Sequence, residues 1–182
     1  MTPARLRLKK LLLVLTLAVL SLATSGPAQD KPEASAPTAA EAGGAAGKVF
    51  DELADKALLA MKQRAEELKI KGVAVVAYVP GSDVHSWMSK MLVVGQLKSH
   101  SSTNDPGSNL LAIAYSKASE MADTLKPSGS GVRPPMKGEF GWQGGWIAPG
   151  KNGWIIAAFS GGRSEDDVKV SKTGVEILSG AL

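Results

Sequence analysis

Apolar residues recur at three- and four-residue spacing in three segments, and this periodicity predicts three amphipathic helices. The first helix is expected over residues 48–69 and the second over residues 108–125. The third should begin after Ser164, with Asp167 as a capping-box partner in its first turn. The stripes of the first two helices are Phe50, Leu53, Ala54, Ala57, Leu58, Met61, Ala65 and Leu68, and Leu111, Ala114, Ala118, Met121, Ala122 and Leu125.

Short apolar runs between these helices predict five strands. Residues 73–79 form a continuous β-branched run typical of a buried strand, and residues 84–94 follow as the returning strand of a hairpin. Three more short strands are expected at residues 140–142, 146–148 and 154–160. The order α-β-β-α-β-β-β-α predicts an α+β domain with a mostly antiparallel five-stranded sheet covered by helices.

The N-terminal region has a different pattern. Four basic residues precede an apolar run over residues 11–22, and small residues follow it, as in a secretory signal peptide. Cleavage after Ser25 and cleavage after Ala28 both fit, and an uncleaved N-terminal anchor is the alternative. We therefore expect a signal peptide over residues 1–25, a disordered Ala/Pro/Gly-rich linker over 26–47 and a folded domain over 48–182. Export to the periplasm or the extracellular space follows, with no membrane span after cleavage.

Charge and cysteine content narrow the classes of partner. Four of the 21 Lys and Arg residues precede the apolar run, so 17 remain against 17 Asp and Glu residues. A neutral mature chain has no broad basic surface for nucleic acid, and we expect no nucleic-acid partner. The absence of cysteine excludes disulfides, lipoprotein attachment and thiolate chemistry.

His85 and His100 are the two histidines and the side chains best suited to titrate near neutrality. His85 is expected within a strand beside Trp87, with Met88 nearby, in surroundings that suit a flat apolar ligand such as haem. His100 is expected in a polar loop, from which it could reach over a pocket. The alternative is one strand-edge histidine and one solvated loop histidine, neither with a ligand.

Other candidate features also have two interpretations. Trp142, Trp146 and Trp154 either pack in the core or line an exposed patch for a ligand or a second subunit. Residues 160–162 either cradle an anion or form a tight turn into the third helix, and the acidic residues 165–167 favour the turn. No serine, lysine or carboxylate is visibly paired with a base, so no catalytic residue is predicted.

Several segments carry a family resemblance: Gly144–Ala148, Lys151–Gly162, Ser164–Val168 and Gly174–Leu178 in the C-terminal half, and Val73–Ala77 and Lys117-Ala118 before it. These segments resemble the GlcG/HbpS-like family of small haem-associated proteins. The resemblance implies a profilin-like arrangement of sheet and helices that assembles into homo-oligomers. It also implies haem or a related tetrapyrrole as the ligand, since some exported members of that family bind one.

The resemblance, taken with the residues, predicts an exported, non-catalytic small-ligand binding protein with haem as its ligand. The expected ligand-binding residues are His100, His85, Met88, Trp142 and Trp146. His100 is the expected axial ligand of the haem iron, because its loop replaces the segment that shapes the pocket in the family. The alternatives are an oligomeric structural or interaction module without a small ligand, and a haem-degrading enzyme.

Overall fold

Two strands follow each of the first two helices in the part of the chain that the structure describes, and the α+β class predicted from the sequence is confirmed. The computed structural model describes residues 39–182, so the predicted signal peptide and most of the predicted linker lie outside the described residues. The elements are α1 (Ala39–Glu67), β1 (Gly72–Pro80), β2 (Met88–Val94), α2 (Leu110–Thr124), β3 (Gly145–Pro149), β4 (Gly153–Ser160) and α3 (Ser164–Ser179). Among the described residues, no helix is long and apolar enough to cross a membrane.

The strands form one antiparallel sheet in the order β2-β1-β4-β3. β1 lies in the middle, paired with β2 as far as Tyr78↔Met88 and with β4 from Val73↔Ser160 to Pro80↔Gly153. The continuous apolar sequences of β1 and β4 suit this position, because almost every residue of both strands is buried.

Two helices cover one face of the sheet, and a single helix covers the other. On the two-helix face, Ala74, Val76 and Tyr78 of β1 pack with residues of α1 and α3. On the opposite face, Ala77 and Val79 pack with the second half of α2, whereas Val73 and Val75 pack with its first half. We call the first surface the two-helix face and the second the α2 face.

The prediction of a strand over residues 140–142 is wrong, and the described sheet has four strands instead of five. Gly141 has a φ of +64°, and a Cβ there would lie 2.4 Å from the ring of Pro135. The backbone N–H of Phe140 donates to Ser116 Oγ of α2 at 3.1 Å. The chain therefore turns towards α2 at this point and does not run along the open edge of β3.

β2 begins at Met88 instead of residue 84, so His85 is not within a strand. The hairpin ladder stops at Tyr78↔Met88, and Pro80 at the end of β1 has no N–H to extend it. The backbone N–H of His85 donates to the carbonyl of Asp83 at 3.1 Å instead. Residues 81–87 are consequently an exposed loop that closes the hairpin.

α1 is longer than its apolar stripe indicates, because it begins at Ala39 and not near residue 48. The added residues include several alanines, the residue type with the highest helix propensity. Ala46 and Val49 pack against the core, and a Cβ at Gly47 would lie 3.0 Å from Met88 Sδ. The expectation of disorder over residues 26–47 therefore does not hold from residue 39 onwards.

Candidate functional site

Two cavities flank α2, one near each end of the helix. The first has a volume of about 590 Å³ and lies between the 81–87 loop and the C-terminal half of α2. The second has a volume of about 250 Å³ and lies beside the N-terminal half of α2. A further cavity of about 300 Å³ separates the start of α1 from the C-terminal residues of the chain. The first cavity is lined by Ser82, Asp83, Val84, His85, Ser86, Trp87, Ser119, Ala122, Asp123 and Leu125.

Trp87 forms the aromatic wall of the first cavity. Its ring lies 6.1 Å from the ring of Tyr115, at an interplanar angle of 54°. The hydroxyl of Tyr115 hydrogen-bonds that of Ser89 at 3.0 Å, which ties α2 to β2 beneath the tryptophan. His85 is exposed at the rim of the same cavity. The cavity thus combines a fixed aromatic surface with an accessible imidazole.

The other predicted ligand-binding residues lie elsewhere. Met88 and Trp146 pack on the two-helix face, on the opposite side of the sheet from Trp87, and the Lys172 ammonium lies 4.1 Å from the centroid of the Trp146 ring. Trp142 is exposed and stacks on Phe140, with ring centroids 4.9 Å apart. The five predicted residues therefore do not form one site.

His100 lies in the polar loop predicted for it, and its side chain is exposed. It lines none of the three cavities described above, although its neighbour Ser99 lines the second. Within residues 39–182, no group of three His, Asp or Glu side chains is placed to hold a metal ion. His100 is therefore an exposed loop residue outside these three cavities.

A buried ion pair lies at the second cavity. Lys117 Nζ donates to Asp167 Oδ2 at 2.9 Å and to the carbonyl of Phe159 at 2.8 Å. The two side chains are only 3% and 4% exposed. The pair therefore connects α2, β4 and α3 through charge-assisted hydrogen bonds. The other lining residues are Ser99, Ser108, Leu110, Ile113, Trp142, Gln143, Ser160, Gly161, Gly162 and Ser164.

Burial and attraction act in opposite directions on this ion pair. Burial lowers the pKa of the Lys117 ammonium and raises the pKa of the Asp167 carboxyl. The attraction between the two groups opposes both shifts, and the N–H of Gly162 donates to Asp167 Oδ1 at 2.8 Å. Asp167 therefore accepts one hydrogen bond from the turn before α3 and another from Lys117. The sequence predicts a capping-box role for Asp167, and the observed bond from the Gly162 N–H takes its place.

Gly144 makes room for the ion pair, and Gly161 makes room for the neighbouring backbone. Gly144 has a φ of +137°, and a Cβ at this position would lie 2.2 Å from Lys117 Nζ. Gly161 has a φ of +149°, and its Cβ would lie 2.0 Å from the carbonyl oxygen of Lys71. The interpretation of residues 160–162 as a tight turn is thus supported, since only glycine fits such an approach without strain.

The position of Lys117 in the sequence indicates a buried ion pair, but hydrophobic periodicity alone does not identify its partner. Lys117 stands within the apolar stripe of α2, beside Ala114, Ala118 and Met121. A lysine on the buried face of a helix requires a partner, because an unpaired buried charge is costly. The partner is 50 residues away in the chain, so spacing could not identify it.

Residues 125–144 join α2 to β3, and we call this segment the pinned loop because hydrogen bonds of Arg133 hold it in place. Arg133 donates to Glu139 at 2.7 and 2.9 Å and to Asp123 at 2.6 and 2.8 Å. The hydrogen bond from Arg133 is the largest cause that lowers the pKa of Glu139, from 4.5 to about 2. The pinned loop presents four exposed apolar side chains, those of Val132, Met136, Phe140 and Trp142.

No protein-family model matches this sequence, and a comparison with curated proteins finds no match. The geometry of the cavities is accordingly the basis for assigning a function.

Proposed function

We propose that this chain is an exported small-ligand binding protein, and that haem or a related tetrapyrrole binds in the first cavity. The observation that carries the proposal is the cavity of about 590 Å³ with the Trp87 wall and the His85 imidazole at its rim. Ligand pockets in proteins commonly measure about 300–1,000 Å³ and combine apolar walls with a few polar groups. Ala122 and Leu125 add to the apolar surface.

The residues at this cavity suit a tetrapyrrole in two respects. Trp87 would provide an aromatic contact for the macrocycle, and His85 would supply a nitrogen donor to its iron. The sequence favours His100 for this role, but His85 is the histidine that lines a cavity. Asp123 shares Arg133 with Glu139, so Asp83 and Asp123 both contribute negative charge to the lining. The propionate groups of haem are disfavoured beside these two carboxylates.

A haem titration followed at the Soret band tests this proposal. We expect saturable binding by the purified protein. His85→Ala should weaken the affinity by about several-fold to a hundredfold, as for the loss of a contact that supports a metal site. The Soret maximum should shift in the same variant. His100→Ala is the matched control, and its affinity and spectrum should equal those of the unmutated protein.

Three results would count against this proposal. Unchanged spectra in His85→Ala would exclude His85 as the iron ligand. A larger effect in His100→Ala would move the site to the polar loop. Failure of the unmutated protein to bind haem would favour the second candidate function below.

Export is the second part of the proposal, and its support is the sequence of residues 1–28. Intact-mass measurement on protein recovered from its native host should give an N-terminus near Gly26 or Gln29. A retained Met1 in the exported fraction would contradict it.

A self-associating interaction module is the second candidate function, and the pinned loop favours it. Val132, Met136, Phe140 and Trp142 are 46–57% exposed and lie within eleven residues of sequence. Exposed apolar groups held in a fixed conformation are typical of protein interaction surfaces. Light scattering at tens of micromolar (about the range of ordinary homo-oligomer affinities) should show an oligomer that Trp142→Ser weakens. A strict monomer would exclude this function.

A further inference from the structure

The second cavity contains a buried hydroxyl that the fold itself does not use. Ser160 is the last residue of β4, is 4% exposed and lines this cavity. Its Oγ makes no hydrogen bond to any of the described residues. Because every fully enclosed polar side-chain atom among those residues has a partner, the Ser160 oxygen is not fully enclosed. The Ser160 hydroxyl is therefore available to a molecule in the cavity.

Lys117 brings a second donor to the same cavity. An ammonium has three N–H groups, and the structure uses two of them, for Asp167 and for the carbonyl of Phe159. The third has no acceptor among residues 39–182. The cavity thus offers an O–H and an N–H from two side chains that are almost completely buried.

The electrostatic surroundings set the charge of the expected ligand. α3 begins at this cavity, and its first turn contains three carboxylates, those of Glu165, Asp166 and Asp167. These carboxylates complement the positive end of the helix dipole. Lys117 balances Asp167, and Lys169 balances Asp166 at 2.8 Å, so two of these carboxylates are paired. A single negative charge can be held here by hydrogen bonds from Lys117 and Ser160, whereas a doubly charged anion would be repelled more strongly by the carboxylates of this turn.

The size and the apolar walls set the rest of the ligand. The volume of about 250 Å³ restricts the ligand to a small molecule. Leu110, Ile113 and Trp142 also line the cavity and suit a short hydrocarbon part. We propose that the second cavity binds a small organic monocarboxylate, whose oxygens accept hydrogen bonds from Ser160 and Lys117. This site is independent of the tetrapyrrole site proposed above.

Nuclear magnetic resonance titration of the purified protein with sodium propionate tests the site, at constant pH and with sodium chloride maintaining ionic strength. The amides of Gly161 and Gly162 and the indole N–H of Trp142 are the reporters, because they border the cavity. We expect saturable shifts at these groups. Inorganic phosphate, titrated separately, should give no saturable shift there, since its second charge is disfavoured.

Ser160→Ala is the decisive variant, because it removes a hydroxyl on which no contact of the fold depends. It should weaken propionate binding by about tenfold, as for the loss of one hydrogen bond to a charged group, and leave the thermal midpoint unchanged. Ser82→Ala, in the first cavity, is the matched control and should bind as the unmutated protein does. The absence of saturable shifts, equal binding by Ser160→Ala, or tighter binding of phosphate than of propionate would each overturn the proposal.

Discussion

The two faces of the sheet are built from the same strands but are covered differently. α1 and α3 together cover the face that contains Ala74, Val76, Tyr78 and Phe159, and a large apolar cluster fills the interior there. On the other face, α2 is a single helix of 15 residues against a four-stranded sheet. The cavities at its two ends contain a tryptophan wall and a buried ion pair.

The difference shows where this fold has room for function. Alternation along β1 directs apolar side chains to both faces, so the strands do not distinguish a binding face from a structural one. The covering helices make the distinction. Two cavities that contain titratable side chains flank the single helix α2, whereas the cavity of about 300 Å³ on the other side lies between the start of α1 and the last residues of the chain. We infer that the α2 face is the ligand-binding face and that the two-helix face provides stability.

The largest expected effect comes from Lys117→Met, which leaves the Asp167 carboxylate buried and unpaired. The free energy of unfolding should fall by about 3–5 kcal/mol, the usual cost of breaking a buried ion pair on one side. Lys62→Met is the matched control on α1, where Lys62 Nζ lies 3.4 Å from Glu66 on the surface. The control should lose less than about 1 kcal/mol. Urea unfolding measures both values.

The double variant Lys117→Met with Asp167→Leu sharpens this test. Because it removes both charges, it should recover much of the stability that Lys117→Met loses. If Lys117→Met alone lowered the free energy of unfolding by less than about 1 kcal/mol, the buried Asp167 carboxylate would need no partner. That result would contradict the description of Lys117 and Asp167 as a buried ion pair.

Gly144→Ala should be the next largest effect, since a Cβ at this position collides with Lys117 Nζ and the backbone has a φ of +137°. A loss of at least about 2 kcal/mol is expected from strain and displacement of the ion pair. Gly44→Ala in α1 provides the comparison, because a Cβ there meets nothing within 4 Å. That variant should gain about 0.5–1 kcal/mol in thermal unfolding measurements. Equal effects at the two glycines would contradict the account.

The smallest expected effect concerns the pinned loop and pH. The pKa of Glu139 is lowered from 4.5 to about 2, so its bond to Arg133 stabilises the loop fully above pH 4.5 and is lost as the pH falls towards 2. Carbon NMR of the Glu139 carboxyl measures the titration directly. Arg133→Gln should raise the midpoint towards 4.5, whereas Lys137→Gln, two residues from Glu139, should not. An unchanged midpoint in Arg133→Gln would exclude the ion pair as the cause.

Hydrophobic periodicity predicts the helices and the buried strands well, because the apolar positions within each element follow directly from which of its faces is buried. The prediction failed where chain direction depends on distant contacts. Phe140–Trp142 is apolar enough for a strand, but Gly141 and the hydrogen bond to Ser116 turn it into a loop. His85 lies in a segment whose sequence resembles a strand, yet the hydrogen-bond ladder between β1 and β2 ends at Met88.

The candidate sites were harder to predict than the fold. Residue type led to His85, His100 and the tryptophans, but it could not tell that Met88 and Trp146 face away from Trp87. The ion pair requires a lysine in α2 and an aspartate in α3, which only the tertiary structure brings together. Residues 160–162 were interpreted as either an anion cradle or a tight turn, but the unused hydroxyl of Ser160 is visible only once its surroundings are known.

The central claim is that ligands bind on the α2 face. A titration with zinc protoporphyrin, a diamagnetic tetrapyrrole that accepts one axial donor, can be followed in backbone amide spectra. The account predicts saturable shifts at His85, Trp87 and Ser119, with the amides of α1 and α3 unchanged. Shifts concentrated in α1 and α3, or no saturable shift anywhere in residues 39–182, would contradict it.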